Sequence, residues 1–304
     1  MASPAAIVCI GELLWDILPT GRQPGGAPFQ AARYLRQLGQ SAQLISRVGD
    51  DELGRELLTY GTHLGLDERL IQRSRTHLTG VAKATAVAAS QQVAYHVVEP
   101  VAWDYLQYTA EAQAAVQQAR MVVYGSLAAR RPATRETLYR LLLHAPFKVF
   151  DVNLRPPHYR REVVKYLLRQ ADFVKLSSEE LTEIMGWLGQ PTAEATALPW
   201  LAGHFGLQAL CLTKGPAGAT LWMDNQFFHH AGFPAAGPPV LSSNDAFLAA
   251  LLTGLLAHRP PADCLQRACA AGALAAQAAG YAEPALTEQA ITDLSASWAG
   301  LAAA

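Results

Sequence analysis

Three small polar residues and one acid precede a long apolar run in the last quarter of the chain. Ser242, Ser243 and Asn244 lead into Asp245, and the residues after it are apolar over a helical length. Such side chains cap helices because their oxygens accept hydrogen bonds from the unpaired N–H groups of the first turn. The same N–H groups and the helix dipole also favour a bound anion. The stretch therefore predicts either an ordinary helix cap or a carboxylate that acts as a base beside a bound phosphate.

Further polar side chains follow short apolar runs that are typical of buried strands. Asp151-Val152-Asn153-Leu154-Arg155 follows one such run, residues 175–180 follow the next, and Thr213-Lys214-Gly215 follows a third. Parallel strands end at one edge of their sheet, and ligands of open α/β sheets bind there. We therefore expect these acids, amides and the arginine to line one edge of the sheet. Helix capping alone does not explain so many polar residues there.

The first part of the chain contributes two more candidate features. Asp16 lies among apolar neighbours in a predicted strand, Leu13–Leu18, and either faces solvent by alternation or points into a site. Gly25-Gly26 lies in a glycine- and proline-rich segment, Gly21–Pro28, which is predicted to be a turn. The glycine pair either lets the backbone approach a ligand closely or belongs to a flexible loop.

Hydrophobic patterning predicts the elements that position these residues. A hairpin over Thr79–Val98 sits among strand–helix units and is expected to form a small separate sheet. The other predicted strands are Ala6–Ile10, Ala42–Val48, Met121–Tyr124, Lys148–Val152, Phe173–Leu176, Ala209–Thr213, Ala219–Met223 and Gln226–His229. The predicted helices are Gln30–Leu38, a helix after Gly54 that ends at Leu64, Thr134–Leu143, Val163–Arg169, Glu179–Leu188, Ala193–His204, Asp245–Leu256, Ala262–Ala279 and Thr287–Trp298. Their alternation indicates an α/β fold with a parallel sheet.

Composition limits the classes of protein to which the chain can belong. Its 304 residues are 51% hydrophobic and 16% charged, which is typical of a globular protein with a large core. A net charge of −1 gives no general attraction for nucleic acid or anionic membranes. Four scattered cysteines without a CxxC pair suit a reducing compartment and argue against a zinc site. With no signal-peptide pattern and no apolar stretch of about 18 residues, we expect a cytoplasmic protein.

Several short motifs occur in the order in which one known family carries them. They are Gly11-Glu12-Leu13-Leu14-Trp15-Asp16, Gly25-Gly26-Ala27-Pro28-Phe29, Gly49-Asp50-Asp51 with Gly54, Tyr124-Gly125-Ser126-Leu127, Asp151 to Pro157, Thr213-Lys214-Gly215, Asp245-Ala246-Phe247, and Ala271-Gly272-Ala273 before Gly280. Over nearly its whole length the chain thus resembles the ribokinase/PfkB family of carbohydrate kinases, and most of all its fructokinase-like branch.

The resemblance implies an α/β fold of the ribokinase-like type, with three α/β/α layers, a central mostly parallel sheet and a small β-sheet lid. It implies a single domain over residues 1–304, with a lid built from about 12–28 and 79–105. Members of the family commonly form dimers through the lid, and the faces of the predicted hairpin are compatible with a homodimer of that kind. The implied ligands are a small-molecule sugar and ATP, without a nucleic acid or a membrane.

The resemblance also implies roles for individual residues. Asp245 would take the proton from the attacking sugar hydroxyl, and Arg155 would contact the transferring phosphate, whose oxygens a guanidinium matches. Glu180 would order the water shell of Mg²⁺. The backbone N–H groups of the anion hole would come from Ser242, Ser243 and Asn244. The residues implied in sugar binding are Asp16, Gly25, Gly26, Gln30 and Asn153. The residues implied in nucleotide binding are Ser177, Thr213, Gly215, Cys269 and Gly272.

The chain departs from the family pattern just before Asp245. The family usually has Asp-Thr-x-Gly-Ala/Ser-Gly-Asp, whereas residues 239–245 here are Pro-Val-Leu-Ser-Ser-Asn-Asp. Backbone donors remain, but losing one well-aimed donor costs ~10²–10³ in rate. The Asp-Thr pair helps to build a monovalent-cation site in the family, so Pro239-Val240 argues against potassium activation. Gln30, Ser177 and Cys269 also stand where an asparagine is common.

Two functions from different classes therefore remain open. The first is an ATP-dependent sugar kinase that uses Mg²⁺ and transfers the γ-phosphate to a primary hydroxyl of a ketohexose-like sugar, with Asp245 as general base. The alternative is a catalytically degenerate homologue that binds sugar, nucleotide or a protein partner without efficient phosphoryl transfer. A kinase of nucleosides or other small alcohols is a third hypothesis, because a fold does not fix a substrate.

Overall fold

The computed structural model describes residues 7–18, 21–86, 93–234, 242–277 and 286–302. The strands are β1 Ile7–Ile10, β2 Leu14–Leu18, β3 Gly21–Gly25, β4 Ala42–Gly49, β5 Ile71–Ser74, β6 Gly80–Ala86, β7 Val93–Val97, β8 Met121–Gly125, β9 Lys148–Asp151, β10 Phe173–Ser177, β11 Ala209–Thr213, β12 Ala219–Met223 and β13 Gln226–His230. The α-helices are α1 Ala27–Gln37, α2 Glu52–His63, α3 Ala110–Gln118, α4 Pro132–Leu142, α5 Arg161–Gln170, α6 Ser178–Leu188, α7 Glu194–Phe205, α8 Ser243–Leu256, α9 Pro261–Gln277 and α10 Glu288–Ala302.

The chain divides into two compact units, which are described one at a time. The first comprises the described residues within Met1–Ala32, Ser41–Pro146 and Arg155–Tyr159. The second comprises those within Arg33–Gln40, Phe147–Leu154 and Arg160–Ala304. The single domain over residues 1–304 and the use of the small sheet as a lid stay predictions.

Each unit contains strands of a mostly parallel sheet, which confirms the predicted α/β class. In the first unit the order is β8-β1-β4-β5, and these strands are parallel. In the second unit the order is β13-β12-β11-β10-β9, in which β9, β10 and β11 are parallel while β12 and β13 form an antiparallel hairpin. Strands such as Ile7–Ile10 and Ala209–Thr213 are buried along their whole length, as parallel strands covered on both faces are.

A second sheet of four strands, in the order β3-β2-β6-β7, belongs to the first unit. The antiparallel pair β6 and β7 confirms the predicted hairpin and its separate sheet. Residues 87–92, which connect the two strands of the hairpin and for which the sequence predicts a turn at Ser90-Gln91-Gln92, lie outside the described residues. One face of the sheet packs into a cluster that contains Leu14, Ala82, Val97 and Trp103. Apolar burial therefore holds the β2 strand, and with it Asp16, in place.

The predicted turn over Gly21–Pro28 is wrong, because Gly21–Gly25 forms strand β3. This strand pairs with β2 and ends the sheet order. Pro24 cannot donate a ladder hydrogen bond, and an edge strand tolerates that loss. The helix that follows begins at Ala27 and not at Gln30, since a proline at position 28 is compatible with a first helical turn.

In the second unit, α8 and α9 pack closely and position the residues around Asp245. A Cβ atom built on Gly254 would lie 2.8 Å from the Cys264 Sγ atom, so glycine is needed at this crossing. Nearly every residue of α8 is buried. Within the described residues, no helix combines the length and the apolarity that a membrane span requires.

Candidate active site

The first turn of α8 presents Asp245 from inside the helix. The helix begins at Ser243, two residues before the predicted start, so Asp245 is its third residue and is only 6% exposed. The Ala246 N–H donates to the Ser242 carbonyl, which is a helical bond. The amides of Ser243 and Asn244 precede that bond and lie among the first N–H groups, which a helix itself leaves unpaired. The geometry therefore combines a buried carboxylate with outward-facing backbone donors.

Ser242 does not act as an ordinary side-chain cap. It stands at the N-cap position with φ −82° and ψ 0°, and its side chain makes no capping hydrogen bond. Its Oγ accepts instead from the Tyr34 hydroxyl at 3.0 Å. Because Ser242 and the helical residues after it have right-handed backbone conformations, replacing glycines here imposes no left-handed strain. Pro239, Val240 and Leu241 lie outside the described residues.

The predicted rim of strand ends is present in the second unit. Lys175 of β10 is the register partner of Asp151 of β9, and Ser177 is the partner of Thr213 of β11. The Lys175 Nζ atom lies 2.9 Å from the Asp151 Oδ1 atom, and both side chains are buried. Three polar strand ends thus meet side by side, as expected for parallel strands.

Lys175 is a buried cation among several acids. Burial opposes its charge, but the negative charges of Asp151, Glu180 and Asp245 outweigh that effect and raise the pKa of Lys175. The ammonium therefore stays charged and links the strand-end acids electrostatically to the acid of α8. Sequence reasoning placed Lys175 in a polar rim segment but gave it no role, because its partners are distant in sequence.

Glu180 and Ser177 close the start of α6 by a capping box. The Ser177 Oγ accepts from the Glu180 N–H at 3.2 Å, and the Glu180 Oε2 accepts from the Ser177 N–H at 2.8 Å. The Glu180 Oε1 accepts from the Leu154 N–H at 2.7 Å, so the same carboxylate also holds the segment after β9. Burial raises the pKa of Glu180, and the N–H groups oppose this shift. The observed contacts are structural, and the predicted roles at Mg²⁺ and nucleotide stay predictions.

The residues predicted to bind nucleotide lie near the end of β11 and on α9. Thr213 ends the strand, and Gly215 begins a short turn with φ +55°, a conformation that favours glycine. Burial raises the pKa of Cys269 to about 12, while the charge of Lys214 lowers it, so the group is a neutral thiol. A Cβ atom built on Gly272 would lie 3.4 Å from the Ser243 carbonyl, which brings α9 against the start of α8.

Asp16 and the glycine pair meet in the first unit. Asp16 is buried, and a Cβ atom built on Gly25 would lie 2.1 Å from its Oδ2 atom. Gly26 has φ +104°, and a Cβ atom there would lie 2.3 Å from the Glu12 carbonyl oxygen. Asp16 therefore faces this backbone and not solvent, and both glycines are required by close approach. The Gln30 Nε2 donates to the Pro24 carbonyl at 2.7 Å, which adds Gln30 to the same group.

Glu12 belongs to this group of residues, although sequence reasoning gave it no role. It is 2% exposed, and its Oε1 accepts from the Ala27 N–H at 3.3 Å. Burial raises the pKa of Glu12, while backbone N–H groups and the charges of Arg155 and Arg130 oppose the shift. The signal in the sequence is an acid two residues after a buried strand, which by itself marks no more than the end of that strand.

Asn153 and Arg155 fall in different units. Asn153 follows β9 in the second unit with φ +41°, a conformation that asparagine tolerates better than most residues. Arg155 belongs to the first unit, where its charge acts on Glu12. Their predicted contacts with sugar and phosphate stay predictions.

Comparison with known proteins assigns the chain to a family. The model of the pfkB family carbohydrate kinases matches residues 17–288. The chain belongs to this family. The resemblance predicted from the motifs is thereby confirmed, and the protein is a carbohydrate kinase with the ribokinase-like fold.

Sugar kinases of several organisms are similar to this chain. A fructokinase of Klebsiella pneumoniae is 29% identical over 289 residues, which cover 89% of this chain and 93% of that protein. A sugar kinase of Pyrococcus horikoshii solved in complex with ATP has a TM-score of 0.77 at 26% identity, covering 90% of this chain and 93% of that one. The fructokinase of Xylella fastidiosa with bound ATP has a TM-score of 0.84 at 23% identity, covering 96% and 98%, and this likeness shows the fold.

The acids of the second unit suit the Mg²⁺ that membership of the pfkB family implies. Asp151, Glu180 and Asp245 all act on the charge of one ammonium, so the acids outnumber the cation that they share. Mg²⁺ prefers oxygen ligands and usually keeps several waters while phosphates hold it. Among the described residues, no three side chains of His, Cys, Asp or Glu are grouped to hold a metal by themselves. The acids therefore fit a hydrated Mg²⁺ held by nucleotide phosphates.

Proposed function

We propose that this carbohydrate kinase transfers the γ-phosphate of ATP to a primary hydroxyl of a ketohexose-like sugar. The observation that carries the proposal is the position of Asp245, a buried carboxylate in the first turn of α8 beside the amides of Ser243 and Asn244. A helix N-terminus favours a phosphate, and a carboxylate beside it can accept a proton. The two features that phosphoryl transfer requires are thus adjacent in the chain.

In this proposal Asp245 takes the proton of the sugar hydroxyl while the hydroxyl oxygen attacks the γ-phosphorus. The bond between the γ-phosphorus and the β,γ-bridging oxygen breaks, and ADP leaves. The amides of Ser243 and Asn244, with the Ser242 amide, stabilise the charge on the transferring group. Mg²⁺ would neutralise phosphate charge, with Glu180 ordering its waters, and Arg155 would contact the transferring phosphate.

The residues that the family resemblance implies would hold the nucleotide and the sugar. Thr213, Gly215 and the α9 residues Cys269 and Gly272 would contact the nucleotide, next to Ser177. Asp16, Gly25, Gly26, Gln30 and Asn153 would contact the sugar. Hydroxyl groups need hydrogen-bond acceptors, and the buried Asp16 carboxylate beside the glycine backbone supplies them.

The test is ADP release with ATP and a panel of fructose, other ketoses, aldoses and nucleosides. Each substrate is run with Mg²⁺ and with Ca²⁺, and with and without potassium. Asp245→Asn is the inactive variant, and Asp263→Asn is its matched control, because Asp263 lies in the first turn of α9 and pairs with Arg259 at the surface. The expected result is turnover of a ketose that Asp245→Asn lowers ~10²-fold or more and that Asp263→Asn preserves.

Two other results would change the assignment. Turnover of a nucleoside with no turnover of any sugar would move the substrate class. Calorimetric binding of sugar and a non-hydrolysable ATP analogue, without turnover of any substrate, would support the degenerate homologue instead. A homodimer through the small sheet, a cytoplasmic location and the lack of a nucleic-acid partner stay predictions from the sequence.

A further inference from the structure

Two buried acceptor oxygens at the start of α1 have no donor among the described residues. They are the Glu12 Oε2 and the Gln30 Oε1. Glu12 is 2% exposed and Gln30 is 7% exposed, so bulk water does not provide the missing donors freely. Buried polar atoms in folded proteins nearly always have a hydrogen-bond partner, and each exception calls for an explanation.

The other polar atom of each side chain is fixed by one short backbone segment. The Glu12 Oε1 accepts from the Ala27 N–H, and the Gln30 Nε2 donates to the Pro24 carbonyl. Between these two anchor points lie Gly25 and Gly26, which the proposed function assigns to sugar binding. The Glu12 carbonyl oxygen also lies where a Cβ atom on Gly26 would be, at 2.3 Å. The two remaining oxygens are therefore held in fixed positions around the glycine pair.

The chemistry of the two oxygens selects the kind of group they can meet. Both accept hydrogen bonds, so a ligand that satisfies them must donate. Phosphate oxygens accept and are excluded, whereas a polyhydroxylated ligand offers several O–H donors. Neighbouring groups agree with this, since the Asp16 carboxylate is a third acceptor against the same Gly25 backbone. The start of α1 is thus rich in acceptors, which suits hydroxyl groups of a sugar.

We propose that Glu12 is a sugar-binding residue that determines specificity. Its Oε2 accepts a hydrogen bond from one sugar hydroxyl, while its Oε1 holds the backbone of the glycine pair through Ala27. Gln30 accepts from a second hydroxyl through its Oε1. The inference rests on the proposed function in one respect, namely that the substrate is a sugar. It adds that the carboxylate of Glu12, to which the sequence alone gave no role, recognises one sugar hydroxyl.

The first test is the variant Glu12→Gln, which keeps the size of the side chain and an oxygen for the Ala27 N–H. It replaces the accepting Oε2 by an NH₂ group, which donates. The KM for fructose should rise on the order of 10- to 100-fold, as expected for a lost hydrogen bond to a charged group. The kcat and the KM for ATP should stay within about threefold. Glu111→Gln is the matched control, an exposed acid in the first turn of α3 in the same unit.

The hydroxyl is identified with singly deoxygenated fructose analogues. With the wild-type chain, one analogue should have a kcat/KM on the order of 10- to 100-fold below that of fructose. With Glu12→Gln, the kcat/KM of the same analogue should be no more than about threefold below its value with the wild-type chain. A purely structural role would not produce this loss for one hydroxyl position alone. An unchanged KM for fructose in Glu12→Gln would overturn the proposal. The proposal would also be overturned if Glu12→Gln lowered kcat/KM equally for all analogues and for ATP, and also melted at a lower temperature than the wild type in the absence of sugar.

A binding measurement separates this proposal from the proposed function. Fructose should raise the melting temperature of the wild-type chain without ATP, and should raise that of Glu12→Gln much less at the same concentration. If the wild-type chain shows this rise but turns over no sugar, the kinase function fails while the role of Glu12 stands. If sugar produces neither stabilisation nor turnover in the wild-type chain, both are overturned.

Discussion

Removing one partner of the buried pair Lys175–Asp151 should destabilise the second unit strongly. The Nζ and Oδ1 atoms lie 2.9 Å apart, and the two side chains are 5% and 7% exposed. Their Coulomb attraction is about 6 kcal/mol at an effective dielectric constant of about 20. Desolvation of the two ions costs several kcal/mol, so the intact pair contributes little net free energy. Lys175→Met keeps the desolvation of Asp151 but loses the attraction, and should lower the free energy of unfolding by about 3–5 kcal/mol.

The surrounding charges make the two single variants unequal. Lys175 is also stabilised by Glu180 and Asp245, so Asp151→Asn still leaves negative charge around the ammonium. Lys175→Met, in contrast, leaves buried acids without their shared cation. We therefore expect Lys175→Met to cost about 1 kcal/mol more than Asp151→Asn. The double variant should cost only about 1–3 kcal/mol, the penalty of one buried polar group without its partner.

The assay is urea unfolding of the whole chain at pH 7, followed by tryptophan fluorescence, for the wild type, both single variants and the double variant. Equal slopes with shifted midpoints show that stability changed and not the extent of unfolding. A coupling energy of about 2 kcal/mol or more is expected from the cycle, since the two groups are in contact. A Lys175→Met chain within about 1 kcal/mol of the wild type, or more stable than Asp151→Asn, would refute the reasoning.

Three further variants test other parts of the structure. Asp245→Asn should lower kcat ~10²- to 10⁴-fold, with the KM values for sugar and ATP within a few-fold, because it removes a base; an unchanged kcat contradicts the assignment. Burial raises the folded-state pKa of Glu12 above its usual 4.5. The stability of the wild type relative to Glu12→Gln should therefore fall as the pH rises from 4.5 through the folded-state pKa. Unfolding midpoints of the two chains that move in parallel from pH 4 to 8 would contradict this prediction. Gly26→Ala should cost about 1–3 kcal/mol or more and raise the KM for sugar, since its φ is +104° and its Cβ would meet the Glu12 carbonyl. Gly39→Ala is the control for a positive φ alone, because Gly39 has φ +76° and a Cβ atom there would have no atom within 4 Å. If the two variants lost equal unfolding free energy, the close approach of Gly26 to the Glu12 carbonyl would not be what requires glycine.

Elements with strong local signals were predicted well from the sequence. Strands β11 and β12 have the predicted bounds, because a run such as Ala209–Thr213 is apolar up to its last residue and is bordered by polar residues. The capped start of α6 was predicted within one residue. Strand β5 was missed, since Ile71–Ser74 contains one strong strand former and depends on its pairing with β4. Helix α3 was also missed, and its short alanine- and glutamine-rich sequence shows little hydrophobic periodicity.

The candidate site shows the same division between local and distant information. Residue types and strand ends identified Asp151, Asp245 and the Gly25-Gly26 pair without the structure. The partners could not be read from spacing, because Lys175 lies 24 positions from Asp151 and Ala27 lies 15 positions from Glu12. Parallel strand register brings the first pair together, and the return of the chain through β3 brings the second. Such contacts follow from topology, which local patterns do not contain.

The residues before Asp245 allow a last prediction about the altered family motif. Ser242 and Asn244 stand where the family usually has glycines, and a glycine is indispensable only where φ is positive or space is lacking. Ser242 has φ −82°, and Asn244 is an exposed residue in the first turn of α8, so neither condition applies. The amides are therefore presented by an ordinary helix start. Restoring both glycines should change kcat less than tenfold. It should cost about 1.5–3.5 kcal/mol of unfolding free energy, from added backbone entropy and from the lost hydrogen bond between Tyr34 and Ser242.

The measurement is kcat of Ser242→Gly/Asn244→Gly beside the wild type, with urea unfolding of both. Ser243→Gly serves as the control, because the family itself carries alanine or serine there. A gain in kcat of ~10²-fold or more would mean that the wild-type amides lack the equivalent of one well-aimed hydrogen-bond donor. That result would favour the degenerate homologue, and it would show that orientation of the amides, and not backbone strain, is what the family glycines provide.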